Sequence, residues 1–185
     1  MYQNPNIESS YRENNLGKTI YDFIVEKKPK IVLEFGCLYG YSTVAIAMAL
    51  KHNGFGKLYT HDLFEDYEFK HSTLEKTKSN IIKYNVEDYV EFIKMDFNEW
   101  LKNPTEFDVL HLDISNTGDT LIKTEFFLRN QIQTDSQIIF EGGSAERDNI
   151  EWMKKYNMIP MNNVKNLVNY KILNEAFPSL SLISE

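Results

Sequence analysis

Five short apolar runs, each followed by a helical pattern, constrain this chain more than any other feature of its sequence. "KIVLEF" is followed by a predicted helix from Ser42 to about His52, and "GKLYTHD" by a long polar helix near residues 69–84. "YVEFIKMD" leads into a short turn or helix at "NEWLKNP", "FDVLHLDIS" into a helix through "TLIKTEFFLRNQI", and "SQIIFEGG" into a helix over "AERDNIEWMKKYN". Strands that are apolar throughout, rather than at alternate positions, are buried on both faces, and the intervening helices supply the cover. The pattern predicts an α/β fold of Rossmann-like type, a doubly wound, mostly parallel sheet with helices on both faces. Two further short strands are expected around the proline of "LVNYKILNEAFPSLSLIS".

A chain of 185 residues suits a single core and leaves no room for a separate substrate domain. Residues 1–28 read as an N-terminal arm and helix, and residues 29–185 as the Rossmann-like domain. The arm, residues 1–14, is polar and reads as loose. In "LGKTIYDFIVEKK", Leu16, Ile20, Phe23 and Ile24 share a helical face, and Pro29 ends the helix. This N-terminal segment is the candidate lid over the ligand. With 20 Lys+Arg against 27 Asp+Glu, the net charge of −7 argues against nucleic acid as a partner. The longest apolar stretch, Val44 to Leu50, is too short to span a bilayer, so no membrane association is expected. The polar N-terminus shows no apolar signal core. The single cysteine, Cys37, rules out an internal disulfide framework and fits a reducing compartment; the expectation is a cytoplasmic protein.

In open α/β sheets the ligand lies beyond the carboxyl ends of the strands, near the switch point. Gly36, Gly40, Gly118, Gly142 and Gly143 all follow predicted strands, as that placement requires. The first of these turns, "EFGCLYGYS", does not suit a triphosphate, because Tyr41 stands where a P-loop has its lysine. It fits a dinucleotide poorly, because Leu38 occupies the position where glycine lets backbone approach a pyrophosphate. A nucleoside ligand without phosphates, S-adenosylmethionine, still needs close backbone approach at Gly36 and Gly40. It also presents a carboxylate, which the helix N-terminus at Tyr41-Ser42 can bind. Asp62, 22 residues past Gly40, ends the second strand as a candidate for ribose hydroxyls. At the end of the third strand, Asp96 can accept from an adenine amino group and Phe97 can lie against the ring. Each residue also has a plainer reading: Glu34 as a paired charge, Ser42 as a helix N-cap, Asp62 as part of a solvated acidic loop.

"VLEFGCLYGYSTVAIA" resembles the first motif of class I S-adenosylmethionine-dependent methyltransferases of the catechol and caffeoyl-coenzyme A O-methyltransferase group. The resemblance covers about residues 15–145 by order of elements. It implies that Glu34, Gly36 and Gly40 shape the cofactor turn, that Ser42 binds the methionine carboxylate, that Asp62 binds the ribose, and that Asp113 also touches the methionine ammonium. It further implies a divalent cation held by Asp113 at the end of the fourth strand and by a pair at the end of the fifth. There Glu141-Gly142 replaces Asp-Asn, and Asn116 replaces the lysine three residues past Asp113. Two carboxylates and an amide can bind Mg²⁺ with several waters retained, so Asp113 and Glu141 are the candidate metal ligands; alternatively Glu141 pairs with Arg147 or Lys154.

Methyl transfer from a sulfonium is an in-line displacement that often also removes the acceptor's proton. Asp113 and Glu141 are the candidate bases. His111, two residues before Asp113, reads as a hydrogen-bonded core histidine; His61 reads as a neighbour of adenine or a loop residue; His52 and His71 are placed on helices with no evident role. Tyr11, Tyr39, Trp100, Phe126 and Trp152 are candidate walls of an acceptor pocket. The expected function is methylation of an oxygen on a small molecule or sugar-like metabolite; a homodimer is compatible with the sequence. The rival readings are a nicotinamide-dependent oxidoreductase, opposed by Leu38 and by the lack of a Tyr-x-x-x-Lys pair, and a non-catalytic cofactor-binding module.

Overall fold

The structure, a computed structural model, describes residues 2–129 and 136–183. Seven strands form one sheet: β1 (Ile31–Phe35), β2 (Lys57–Asp62), β3 (Val90–Lys94), β4 (Val109–Leu112), β5 (Gln137–Glu141), β6 (Tyr170–Asn174) and β7 (Leu180–Ile183), in the order β3-β2-β1-β4-β5-β7-β6. The first five pair in parallel, and β7 and β6 close the edge antiparallel. The reversal of order lies between β2-β1 and β4, so a crevice opens at the carboxyl ends of these strands.

Apolar side chains alternate between two cores, one on each side of the sheet. Val32, Val109 and Ile139 join the core beneath α1 (Leu16–Lys27) and α2 (Tyr41–Asn53). Leu33, Leu110 and Ile138 join the core on the opposite side, with Phe97, Trp100 and Leu121 from α4 (Phe97–Trp100) and α5 (Gly118–Leu128). The continuous apolar runs are thus the signature of a sheet covered on both faces. The last residues of the helix expected through 120–132 lie outside the described residues.

Three local expectations are corrected. The polar helix placed near residues 69–84 is α3 (Leu74–Ile82), because the Thr73 side chain accepts from Lys76 N at 3.1 Å and caps it there; His71 therefore sits in a loop. The single helix expected over 145–157 is two, α6 (Ala145–Asp148) and α7 (Glu151–Lys155). Asn149 ends the first by returning its side-chain amide to Ala145 O at 2.7 Å, while the Asp148 carboxylate turns to the backbone of Met161 and Asn162. Residues 2–14 are not a loose arm. Ile7 and Tyr11 are buried in the core, Asn4 accepts from Tyr41 Oη at 2.6 Å, and Asn6 N donates to Tyr84 Oη at 2.6 Å. Among the described residues no helix is long and apolar enough to cross a membrane.

Candidate active site

Backbone geometry explains the glycine turn first. Gly36 leaves β1 at φ +85°, and a Cβ there would run into the carbonyl oxygen of Asp113 and lie 2.7 Å from its carbonyl carbon. The turn can therefore sit against the end of β4 only with glycine at this position. Asp62 ties the same turn to β2: Oδ2 accepts from Cys37 N at 2.9 Å and Leu38 N at 3.2 Å, and Oδ1 accepts from Phe64 N at 2.9 Å. With two acceptor positions on each carboxylate oxygen, one position on Oδ1 remains for a further donor.

Beneath the turn, Glu34 is fully buried and its four acceptor positions are filled. Oε1 accepts from Ser42 Oγ at 2.6 Å and His111 Nδ1 at 3.1 Å, and Oε2 from Thr43 Oγ1 at 2.6 Å and Thr60 Oγ1 at 2.8 Å. Burial alone would raise its pKa, but the donors, His111 foremost, outweigh it and hold the carboxyl below its usual value. Glu34 so binds β1, β2, β4 and α2 together. Gly40, in the left-handed region at φ 91°, sets the N-terminus of α2, where the first-turn amides have no intrahelical partner.

A cavity of about 410 Å³ opens over this turn. Its floor is Phe35 to Leu38 with Tyr41 and Ser42; its walls are His61 and Asp62 from β2, Met95 to Asn98 after β3, and Asp113 to Ser115 after β4. Two segments cover it: Glu8 to Ser10 of the N-terminal arm, and Tyr67, Lys70 and His71 of the loop before α3. Lys70 Nζ meets Glu8 at 2.8 Å across that cover. Both side chains are largely exposed, so the pair contributes little, on the order of 0–1 kcal/mol, and does not lock the cover shut.

Several expected site residues thus meet at one cavity: Gly36, Tyr41, Ser42, Asp62, Asp96, Phe97 and Asp113. Asp96 also caps α4, with Oδ1 accepting from Asn98 N at 2.8 Å and Glu99 N at 3.3 Å. Phe97 is largely buried against Phe35, with ring centroids 5.0 Å apart. His61 lies parallel to Phe35 at 4.3 Å, and burial lowers its pKa. His52 bonds to the Tyr21 hydroxyl at 2.7 Å. Glu34, Gly40 and Glu141 do not line the cavity, and neither do the five aromatics expected at an acceptor pocket. Trp100 packs on Phe35 and Phe97, Phe126 is exposed, Trp152 lies by Arg147, and Tyr39 lies under Lys70. Tyr11 is fully buried, and burial foremost, then the nearby charges of Asp113 and Glu141, pushes its hydroxyl well above the usual range. The covering residues Glu8, Tyr67 and Lys70 had no signal in sequence, since exposed polar residues in loops look alike until the chain folds back.

The second carboxylate is occupied. Register pairs Leu112 with Phe140, which places Asp113 beside Glu141 at the ends of β4 and β5. Glu141 Oε1 accepts from Arg147 Nε at 2.5 Å, the plainer of the two readings of this residue. Asn116 donates its amide to Leu112 O and Glu141 O, both at 2.9 Å, and so ties the two strand ends instead of facing a ligand. Gly142, at φ +110°, is strained for any side chain, and the asparagine of the resembling pair would also have to displace the end of the Met161 side chain. Among the described residues no three His, Cys, Asp or Glu side chains are grouped to hold a metal ion. The residues at this position do not fit the divalent cation that the resemblance implies.

Burial pushes Asp113 up to about 6, against the opposing charges of His111 and Arg147 and with the Glu34 charge adding to the rise. Burial likewise pushes Glu141 up to about 7, against Arg147 and with the Asp113 charge adding to the rise. Carboxyls that ionise less readily folded than unfolded stabilise the fold at low pH, and this contribution is lost as pH rises from the usual carboxylate range through about 7. The melting temperature of Glu141→Gln is therefore expected to fall less between pH 5 and pH 7.5 than that of the wild type. Parallel profiles would mean that the carboxyl titrates alike folded and unfolded.

An open parallel sheet with a glycine turn at its switch point, an N-terminal helix dipole and acids at the ends of β2 and β3 defines a nucleoside-cofactor enzyme of Rossmann-like fold. Residues 33–141 match the methyltransferase domain family, and the chain belongs to it, as an S-adenosylmethionine-dependent methyltransferase. Solved structures share the fold. A putative O-methyltransferase from Klebsiella pneumoniae is 16% identical with a TM-score of 0.65, over 91% of this chain and 79% of that one. The S-adenosylhomocysteine-bound Podospora anserina methyltransferase PaMTH1 is 16% identical with a TM-score of 0.64, over 95% and 79%. The O-methyltransferase TomG from Streptomyces achromogenes, in complex with S-adenosylmethionine, is 14% identical with a TM-score of 0.60, over 95% and 86%. No curated protein matches the chain in sequence. Neither the nicotinamide-dependent oxidoreductase nor the non-catalytic module finds support.

Proposed function

We propose that the 410 Å³ cavity holds S-adenosylmethionine and that the chain transfers its methyl group to an oxygen of a small molecule or sugar-like metabolite. The observation that carries this reading is the convergence of the glycine turn, Asp62, Asp96 and Asp113 on one cavity of cofactor size. The amides of Tyr41 and Ser42 at the start of α2 suit the methionine carboxylate; the Ser42 hydroxyl is already given to Glu34, so the backbone is the better donor. Asp62 takes the ribose hydroxyls, and Asp96 with Phe97 takes adenine. Asp113, whose pKa is raised to about 6, accepts the proton of an acidic hydroxyl and also faces the methionine ammonium. The oxygen acceptor rests on the O-methyltransferases among the structural relatives. Segment 1–28 acts as the lid, with Glu8 to Ser10 over the cavity. A cytoplasmic location suits the single buried thiol of Cys37.

Calorimetric titration with S-adenosylmethionine, S-adenosylhomocysteine and NAD tests this reading. Heat is expected from the first two and not from the third; a folded protein that binds only NAD overturns it. Asp62→Ala is expected to weaken S-adenosylmethionine at least tenfold while circular dichroism stays native. Each charge-assisted bond is worth about 1.5–3 kcal/mol, and the turn also loses its clamp. Unchanged affinity would place the ribose elsewhere.

A further inference from the structure

Where the resembling enzymes hold a divalent cation between the ends of the fourth and fifth strands, this chain has a buried guanidinium. We propose that Arg147 takes the cation's place beside Asp113 and Glu141, so that the acceptor side of the site carries its own fixed positive charge and needs no metal ion. This inference rests on the acceptor side of the reading above.

Four observations converge. Arg147 is 6% exposed, and its Nε is bound to Glu141 at 2.5 Å. The parallel register sets Asp113 next to that same Glu141. Two buried carboxylates side by side demand a counter-charge, and removal of either sign from such a group leaves the other uncompensated. The position after Glu141 is a glycine packed on Met161, so the second oxygen ligand of the resembling pair cannot be restored without displacing that side chain. Finally, the guanidinium is only partly used. Nη1 is buried and, among the described residues, has no hydrogen-bond partner. Buried donors of this kind are rarely left empty in a working site.

The test is Mn²⁺ binding followed by electron paramagnetic resonance on protein saturated with S-adenosylhomocysteine, whose own binding is measured first by calorimetry. Wild type is expected to show no saturable Mn²⁺ below millimolar concentration. Arg147→Met frees Glu141 and removes the positive charge near Asp113, and is expected to bind Mn²⁺ at least tenfold more tightly, a gain abolished by adding Glu141→Gln. Micromolar Mn²⁺ binding by wild type, lost in Glu141→Gln, would overturn the proposal. So would an Arg147→Met protein, folded and cofactor-bound, that gains no Mn²⁺ affinity. If Arg147→Met does not fold, the wild-type titration still decides. Loss of S-adenosylhomocysteine binding in every form would instead strike the cofactor reading.

Discussion

Glu34→Leu is expected to cost about 3–5 kcal/mol of folding stability, the loss typical when one side of a buried charged network is removed. The wild-type carboxylate accepts from Ser42, Thr43, Thr60 and His111, all of them buried. Leucine fills a similar volume but accepts nothing, so all four lose their partner at once. The total stability of a domain is only about 5–15 kcal/mol, so a large share goes with a single side chain. Urea denaturation should show a lower midpoint at similar slope, and the melting temperature should fall on the order of 10 °C. Glu34→Gln should lose less, because an amide keeps one acceptor and the hydroxyls can rotate. Equal losses for the two variants would show that shape, not the carboxylate, holds these strands. A shift under about 1 kcal/mol for the leucine variant would refute the network's role outright.

Gly36→Ala is expected to abolish cofactor binding and to lower stability together. The added methyl overlaps the Asp113 carbonyl oxygen, and both partners are backbone, so no side chain can turn aside. The turn must then leave the end of β4, which moves Cys37 and Leu38 off Asp62 and tilts the start of α2. Gly54→Ala is the control: its φ is also positive at +78°, but nothing lies within 4 Å of the added Cβ, so only the conformational cost of about 1–2 kcal/mol applies. Calorimetry on both variants separates local strain from collision. Native affinity in Gly36→Ala would mean that the two strand ends part more easily than their hydrogen bonds suggest.

Much of this fold was legible because its strands bury both faces. Val32-Leu33, Val109-Leu110 and Ile138-Ile139 divide between two cores, and only a covered parallel sheet asks for apolar residues at consecutive positions. The acids at strand ends were legible for the same reason, since strand ends in such a sheet are where polar residues meet a crevice. The burial of Ile7 and Tyr11 was not legible. Each is an isolated apolar residue in a polar stretch, and its partners come from distant parts of the chain. Asp62 was read as a ribose ligand, yet its geometry also makes it the clamp of the glycine turn, a role no spacing rule distinguishes. Arg147 was one of two partners considered for Glu141. That it would be buried depends on the fold-back through Gly142 and Gly143 into a four-residue helix, which local propensity does not announce.

The arm that covers the cavity also has a place in time. Asn14 donates to Phe177 O at 2.7 Å across 163 positions, and Asn174 donates to Thr19 Oγ1 at 2.8 Å across 155. At translation rates of about 5–20 residues per second, the segment around Tyr11 leaves the ribosome roughly ten to thirty seconds before the residues that fasten it. The parallel strands β1 to β5 can associate in that interval, and the arm can already meet Tyr41 and Tyr84, but the ties at Asn14 and Thr19 wait for the residues around β6 and β7. Contacts this remote in sequence are the slowest to form. The N-terminal segment is thus fastened in two stages, its covering part to α2 and the loop before α3, and its junction with α1 to the last strands.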